Sequence, residues 1–316
     1  MGSLRWGAVT DPRFQVSDEV ADALAERRPV VALESTIISH GLPRPRNREA
    51  AADFEAVLRA ADVVPATIAV LDGVPRVGLD ETGLDRIAGE DLAKASVRDL
   101  PVLAARGGSA ATTVAATMRL AALAGVRVFA TGGLGGVHRG YVTTFDESAD
   151  LGALAAFPVA VVCAGVKSVL DIGATLERLE TLSVPVVGFG TDEFPSFWLP
   201  GSGHPVDWRV DTPDEVAAIL AAQDALAEPG ATPGLVLANP VPGDLAWERG
   251  EHDRVLAAAF AAADAAKVRG KAVTPFLLSF IVQASGGRSL EVNLALARNN
   301  VAVAARVATA YSARTA

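Results

Sequence analysis

Short apolar runs rich in valine alternate with longer, alanine-rich amphipathic stretches along almost the whole chain. The apolar runs are Val30–Leu33, Thr67–Leu71, Val126–Ala130, Val159–Cys163, Val184–Phe189 and Leu235–Ala238. They are continuous rather than alternating, the pattern of strands covered on both faces. Helical spacing is found in Ser17–Glu26, Asn47–Ala61, Ala110–Ala124, Lys167–Leu182, Asp214–Leu226, Glu251–Lys267, Pro275–Ala284 and Ser289–Tyr311. Thr212-Pro213 before Asp214 is a helix start, a hydroxyl cap followed by proline. This alternation predicts an α/β fold, a three-layer α/β/α sandwich around a mixed, mainly parallel sheet. A barrel of eight βα units is the competing architecture. The last ~65 residues read as helices without obvious strands and the N-terminal units are irregular, which favours the sandwich. No Ser/Gly- or Pro-rich linker, block of like charge or repeat divides it, so residues 1–316 read as one domain.

In open α/β sheets, ligands bind beyond the carboxyl ends of the strands, so chemistry is sought in the segments after the apolar runs. Glu34 follows the first run, within Ala32-Leu33-Glu34-Ser35-Thr36-Ile37-Ile38-Ser39-His40-Gly41. A carboxyl among apolar groups and hydroxyls tends to a raised pKa, which suits a general acid; a capping or ion-paired Glu is the plainer alternative. Arg106-Gly107-Gly108-Ser109-Ala110-Ala111-Thr112-Thr113-Val114 offers glycines and hydroxyls ahead of a helix, where free N–H groups favour a phosphate. It also reads as an ordinary loop and cap, and it fits neither the P-loop nor the Gly-x-Gly-x-x-Gly pattern. Thr131-Gly132-Gly133-Leu134-Gly135-Gly136-Val137-His138-Arg139-Gly140 holds five glycines in ten residues, which implies a backbone approached closely by something. Asp146 and Asp150 are two carboxylates for a hard divalent cation completed by water, or a solvated helical turn. Gly190–Trp198 gathers aromatic and proline side chains for a pocket or a subunit contact. Asn293 lies in an apolar helical turn and must find partners in a ligand or the backbone.

Composition sharpens one further segment. The chain has 316 residues with 28 Lys+Arg against 37 Asp+Glu, a formal net charge of −9. Only Lys94, Lys167, Lys267 and Lys271 are lysines; the other 24 cations are arginine. Yet Lys167 stands directly after an apolar run, in Cys163-Ala164-Gly165-Val166-Lys167-Ser168. Arginine stays protonated, whereas a desolvated lysine can lose its proton and become a nucleophile or Schiff-base former. A lysine that merely opens the next helix is the simpler reading. Lys94 is a second candidate, and Lys267 and Lys271 read as surface charge. The acidic balance without a basic stripe argues against a nucleic-acid backbone as partner. With 50% hydrophobic and 21% charged residues the chain is not of the disordered class. No apolar run is long enough for a transmembrane helix. A single cysteine, Cys163, leaves no internal disulfide and no zinc spacing. Met1-Gly2-Ser3-Leu4-Arg5-Trp6 lacks both the apolar core of a signal peptide and the Ser/Thr of a myristoylation signal. A cytoplasmic protein with no membrane partner is expected.

Taken together, these segments resemble the pseudouridine-5′-phosphate glycosidases, also described as the indigoidine-cluster A-like family. The strings that carry the resemblance are Ala32–Gly41, Gly108–Met118, Thr131–Arg139, Ser148–Leu151, Cys163–Ser168 and Gly188–Trp198. The likeness spans residues 30–310, nearly the whole chain. It implies a trimeric enzyme with an α/β/α core. The implied reaction is reversible cleavage of the C–C glycosidic bond of pseudouridine 5′-phosphate, giving uracil and ribose 5-phosphate by lyase-type chemistry. By the same resemblance Lys167 is the covalent nucleophile and Glu34 the proton donor, and Asp146 sits at a Mn²⁺ site, one per subunit, held largely through water. Lys94, Val114, Ser148, Ala149 and Asp150 contact substrate, and His138 and Asn293 match further active-site positions. Phosphate binding is expected from N–H groups and hydroxyls around Ser109–Thr113 and from the glycine loop that opens with Thr131.

That chemistry is intelligible from the residue types. Carbon is a poor leaving group, so the pair of carboxylates that serves an ordinary glycoside does not suffice. Opening the ribose and bonding Lys167 to C1′ lets the C–C bond break as an imine forms between Lys167 and C1′. Protonating the uracil ring carbon then needs a positioned acid, the role of Glu34. The amine must be neutral to attack, and the apolar approach through Val161, Val162 and Val166 favours that form. Two alternatives remain open: a Schiff-base sugar-phosphate aldolase on a βα barrel, and a nonenzymatic sugar-phosphate-binding protein.

Overall fold

The fold, taken from a computed structural model, is described for residues 14–227, 232–268 and 273–315; Met1–Trp6 and Lys271 fall outside them. Eleven strands form one sheet: β1 (Gln15–Val16), β2 (Val30–Leu33), β3 (Val64–Leu71), β4 (Val74–Val77), β5 (Ala93–Ala95), β6 (Ala110–Thr112), β7 (Val128–Ala130), β8 (Ala160–Cys163), β9 (Val186–Phe189), β10 (Trp208–Val210) and β11 (Leu235–Ala238). Their order is β1-β4-β3-β2-β7-β8-β11-β9-β10, with β6 alongside β3 and β5 alongside β6. Only the β3–β4 and β3–β6 pairings are antiparallel. Every residue of β2, β3, β7, β8 and β11 is buried, which is why these runs read as continuous valine-rich stretches.

Helices cover both faces. The helix Arg288–Thr315 crosses β2, β7 and β8 and packs beside Pro213–Ala225 and Arg46–Arg59. On the other face Val114–Ala124 lies over β2 and β3 against Ala149–Ala156, which in turn meets Ile172–Thr181. The layered α/β architecture is the one expected. Among the described residues no helix is long and apolar enough to cross a membrane.

One feature of the strand order fixes where a ligand can bind. From β2 the chain moves to β3 on one side, and from β7 it moves to β8 on the other. The connections therefore diverge at the β2–β7 seam, the kind of position where open α/β sheets bind ligands beyond the carboxyl ends of the strands. Glu34 is the first residue after β2, Thr131 the first after β7, and Lys167 follows β8.

Several boundaries differ from expectation. The predicted helix Ala110–Ala124 begins as a strand: Ala110–Thr112 pairs with β3 and β5, and the helix starts only at Val114. Small alanines carry strong helix propensity but little strand signal, and tertiary pairing overrides that propensity. Lys167 does not open a helix either. Residues 167–170 form a turn closed by Leu170 N–H donating to Lys167 O at 2.9 Å, and the helix begins at Ile172 behind the cap of Asp171. The unpredicted strands β1, β4, β5, β6 and β10 are two to four residues long, too short for periodicity to show.

Candidate active site

Glu34 and Thr131 meet across the β2–β7 seam: the Thr131 hydroxyl donates to Glu34 Oε1. Burial pushes the Glu34 carboxyl above the usual carboxylate range, against the opposing pull of Lys167, the Thr131 hydrogen bond and Lys94. The cavity bounded by Glu34, Leu33, Phe54, Thr131, Gly132 and Val301 measures about 10 Å³, room for no more than one water. Lys167 stretches to donate from Nζ to Gly133 O at 3.0 Å. Lys94, on β5, lies near enough to feel both groups. Partial desolvation and the Lys167 ammonium push its amine below the usual lysine range, with Glu34 and Asp150 opposing. Two lysines and two carboxylates thus come together from residues 34 to 167. Lys267 is exposed at a helix end, as expected of surface charge.

The glycine loop is the backbone of this site. Gly132 and Gly133 let other chain segments approach. A Cβ on Gly133 would run into the Phe197 ring, and one on Gly132 would sit 3.3 Å from Asn293 Oδ1. Asn300, fully buried, donates to Thr131 O at 2.7 Å and Gly132 O at 3.2 Å, and itself accepts from Asn239 at 2.8 Å. Asp150 ties the loop to the neighbouring helix. One carboxylate oxygen accepts from Gly135 N–H at 2.8 Å and the other from Ala115 N–H at 3.0 Å. Asn293 Oδ1 is buried beside the loop with no protein donor. A buried carbonyl oxygen of that kind costs about 1–3 kcal/mol unless a donor reaches it, which makes it a natural acceptor for a ligand N–H or O–H.

The turn that carries Lys167 is held as firmly. Leu134 N–H donates to Gly165 O at 2.9 Å and Lys167 N–H to Leu134 O at 3.2 Å, and Phe197 N–H donates to Ala164 O at 2.9 Å. Gly165 adopts φ +77°, and a Cβ there would strike Pro195 O, so a glycine is required. The aromatic residues of Gly190–Trp198 are therefore packing beneath the Lys167 turn: Phe194, Phe197 and Trp198 are all buried. Cys163, at the end of β8, is fully buried with its thiol pushed up to about 12 by desolvation, an inert group.

At the rim, His138 N–H donates to Asp146 O at 3.0 Å, and His138 Nδ1 lies 3.9 Å from Asp146 Oδ2. Among the described residues no three His, Cys, Asp or Glu side chains converge into a metal cage. The donor set of Asp146, with His138 beside it, fits a hard divalent cation that keeps most of its waters and takes ligand oxygens. Asp146 and Asp150 do not share one helical turn as a pair, because Asp146 is in a loop and Asp150 is buried in the helix Ala149–Ala156 with both oxygens engaged.

The phosphate cradle expected around Ser109–Thr113 narrows sharply. Ser109 lies on the far side of β6, where its Oγ accepts from Asp72 N–H at 2.9 Å beside the Asp72–Arg86 ion pair. The helix N-terminus at Thr113-Val114 is already partly capped, with Ala115 N–H on Asp150 and Ala116 N–H on Thr113 Oγ1. Val114 is buried. Ser148 caps its own helix by accepting from Asp150 N–H at 3.2 Å, and Ala149 is exposed beside it. His40, not singled out from the sequence, engages Ala93 and lies by Lys94, so it joins the rim of the site. Asn300 was also missed. A further Asn within an alanine- and valine-rich helix is the same signal that singled out Asn293.

Residues 19–310 match the family described as Indigoidine synthase A like protein. A pseudouridine-5′-phosphate glycosidase of Frankia alni is 60% identical over 300 residues, covering 95% of this chain and 82% of that one. One from Nocardioides is 55% identical over 302 residues, with 95% and 97% covered. Among solved structures, the prealnumycin C-glycosynthase AlnA in complex with ribulose 5-phosphate superposes with a TM-score of 0.89 at 37% identity, covering 96% of this chain and 99% of that one. An indigoidine synthase A-like protein of Thermotoga maritima gives a TM-score of 0.84 at 36% identity, with 95% and 96% covered. Fold, seam and site strings converge on one assignment: the chain belongs to the indigoidine synthase A-like family of enzymes, together with the pseudouridine-5′-phosphate glycosidases.

Proposed function

We propose that the protein reversibly cleaves pseudouridine 5′-phosphate to uracil and ribose 5-phosphate, with Lys167 as the covalent nucleophile and Glu34 as the proton donor. The observation that carries this reading is that Glu34, held by Thr131 at the β2–β7 seam and raised above its usual range by burial, lies within electrostatic reach of Lys167, whose Nζ donates to Gly133 O, and of Lys94 on β5. Lys167 Nζ bonds to C1′ as the C1′–O4′ bond breaks and O4′ takes the proton the amine gives up; the nitrogen lone pair then forms the C=N bond as the C1′–C5 bond breaks. The electrons of that bond go to uracil C5, which takes the Glu34 proton; water then releases ribose 5-phosphate from the imine. Burial favours the protonated form of this carboxyl, which suits a proton donor. Thr131 orients Glu34. Lys94 supplies charge for the anionic substrate, Asn293 Oδ1 an acceptor for a ligand donor, and Thr113, Val114 and the Ser148–Asp150 segment the walls. Asp146, with His138 beside it, would hold Mn²⁺, one per subunit, which when bound supplies positive charge for an anionic ligand. A homotrimer and a cytoplasmic setting belong to the same reading.

The test is loss of pseudouridine 5′-phosphate followed by ultraviolet absorbance, paired with borohydride reduction in ribose 5-phosphate. Turnover and an adduct on Lys167 are expected, with Lys167→Ala and Lys167→Arg both inactive. Turnover without any adduct removes the covalent role. An adduct without turnover points instead to the aldolase reading. Stripping divalent cations should abolish activity and Mn²⁺ restore it, while Asp146→Asn should weaken Mn²⁺ binding read by electron paramagnetic resonance. Full activity of the metal-free protein excludes a catalytic metal.

A further inference from the structure

Directly after Lys167 comes Ser168, buried at 4% exposure, and its hydroxyl is held by a residue from a different third of the chain. His252, on the helix Arg249–Ala265, places Nε2 3.0 Å from Ser168 Oγ and Nδ1 2.8 Å from Asp253 Oδ1. The carboxylate can only accept, so Nδ1 carries the proton and Nε2 is left to accept from the Ser168 hydroxyl. The imidazole is 3% exposed and stands edge-on to Trp198 and Trp247, with ring centroids 6.0 and 5.6 Å away. Burial holds its pKa below the usual histidine range, with Asp253 opposing and Arg249 and Arg139 reinforcing, so the acceptor form persists at neutral pH. Ser168 is the second residue of the turn that Lys167 opens and Leu170 closes. Anchoring that residue fixes the direction in which the Lys167 side chain leaves the turn.

We propose that His252, acting through Ser168, is a positioning residue for the Lys167 amine. The Asp253–His252–Ser168 series has the order of a nucleophile triad, but Ser168 is buried and its neighbour Lys167 is the group that reaches the seam. The series therefore sets the aim of the lysine. A displacement of about 1 Å at a reacting atom costs on the order of 10²-fold in rate, so a rigid turn matters more here than its own stability. The proposal rests on Lys167 being the imine-forming residue, and the experiment separates the two.

Ser168→Ala, His252→Leu and His252→Gln are compared with the wild type in three measurements. These are the melting temperature, the rate of borohydride trapping with ribose 5-phosphate, and competitive acetylation of Lys167 against exposed Lys267 by acetic anhydride. Ser168→Ala and His252→Leu are expected to slow trapping 10- to 100-fold, leave the KM for ribose 5-phosphate within about twofold, and shift the Lys167:Lys267 labelling ratio several-fold. His252→Gln, which retains an acceptor, is expected to recover most of the trapping rate. The double variant should be no slower than either single one, because both remove the same link. If Ser168→Ala, the mildest change, leaves both trapping rate and labelling ratio at wild-type values, the proposal is overturned. Changes in melting temperature and KM alone overturn it as well. A wild type that traps nothing, while the variants still shift the labelling ratio, refutes the imine reading and leaves the positioning role standing.

Discussion

Glu34 is held in a state that a solvated glutamate avoids. Its carboxyl is raised above the usual range by burial, so the folded protein binds this proton more tightly than the unfolded chain. Stability from that preference is full below the unfolded value near 4.5 and is lost as pH rises through the folded pKa. At pH 7 the site therefore carries a cost, and Glu34→Gln, which keeps an acceptor for Thr131, should raise the melting temperature by a few degrees. That gain should shrink on acidification and vanish below about pH 4.5. The same variant should still trap an imine on Lys167 while turning over at least 10²-fold more slowly, the upper reach of a lost general acid being about 10⁴. A lowered melting temperature at pH 7 contradicts the assignment of burial as the dominant cause. Glu34, Lys167 and Asn293 were legible as single residues because each contrasts in type with its apolar neighbours. His252 was not, since its partner Ser168 is 84 positions away and nothing local marks it.

Between elements, the strongest polar link in the site is Asp150. Lying in the first turn of Ala149–Ala156, it accepts from the first turn of Val114–Ala124 and from the glycine loop after β7. Hydrogen bonds to a charged group contribute about 1.5–3 kcal/mol each. Asp150→Asn turns one of these acceptors into a donor facing an N–H, so a loss of about 3 kcal/mol is expected in urea unfolding, together with weaker binding of ribose 5-phosphate. A loss under about 1 kcal/mol with unchanged binding would show that the loop and helix hold each other without it. At this scale the long helices and the fully buried strands were readable from periodicity. The strand β6 and the turn at Lys167 were not. Alanine runs and a Gly-Val-Lys-Ser segment are locally compatible with helix, and the hydrogen bonds that decide otherwise come from β3, β5 and Leu134.

Across the whole molecule, the helix Arg288–Thr315 links the two ends of the sheet. Asn293 and Asn300 face the seam, and Tyr311 sits at the amino ends of β2 and β7. There Asp224 accepts from Tyr311 at 2.5 Å and pairs with Arg127 at 2.6 Å, a side chain only 16% exposed. Asp224→Ala strands that guanidinium, and a loss of about 2 kcal/mol is expected, less than for a fully buried pair. Because this contact lies at the end of the sheet away from Glu34 and Lys167, kcat/KM should stay within twofold. A parallel fall in activity would mean that the helix transmits strain along its length. The sequence by itself determined the layered α/β class and the side chains able to do chemistry, because periodicity and residue type are local properties. It did not determine that Glu34 meets Thr131, that Lys94 and Lys167 share one field, or that Ser109 faces away. Those follow from strand order and from the β2–β7 seam, which depend on how buried faces pair across long stretches of chain, and only the folded structure resolves that.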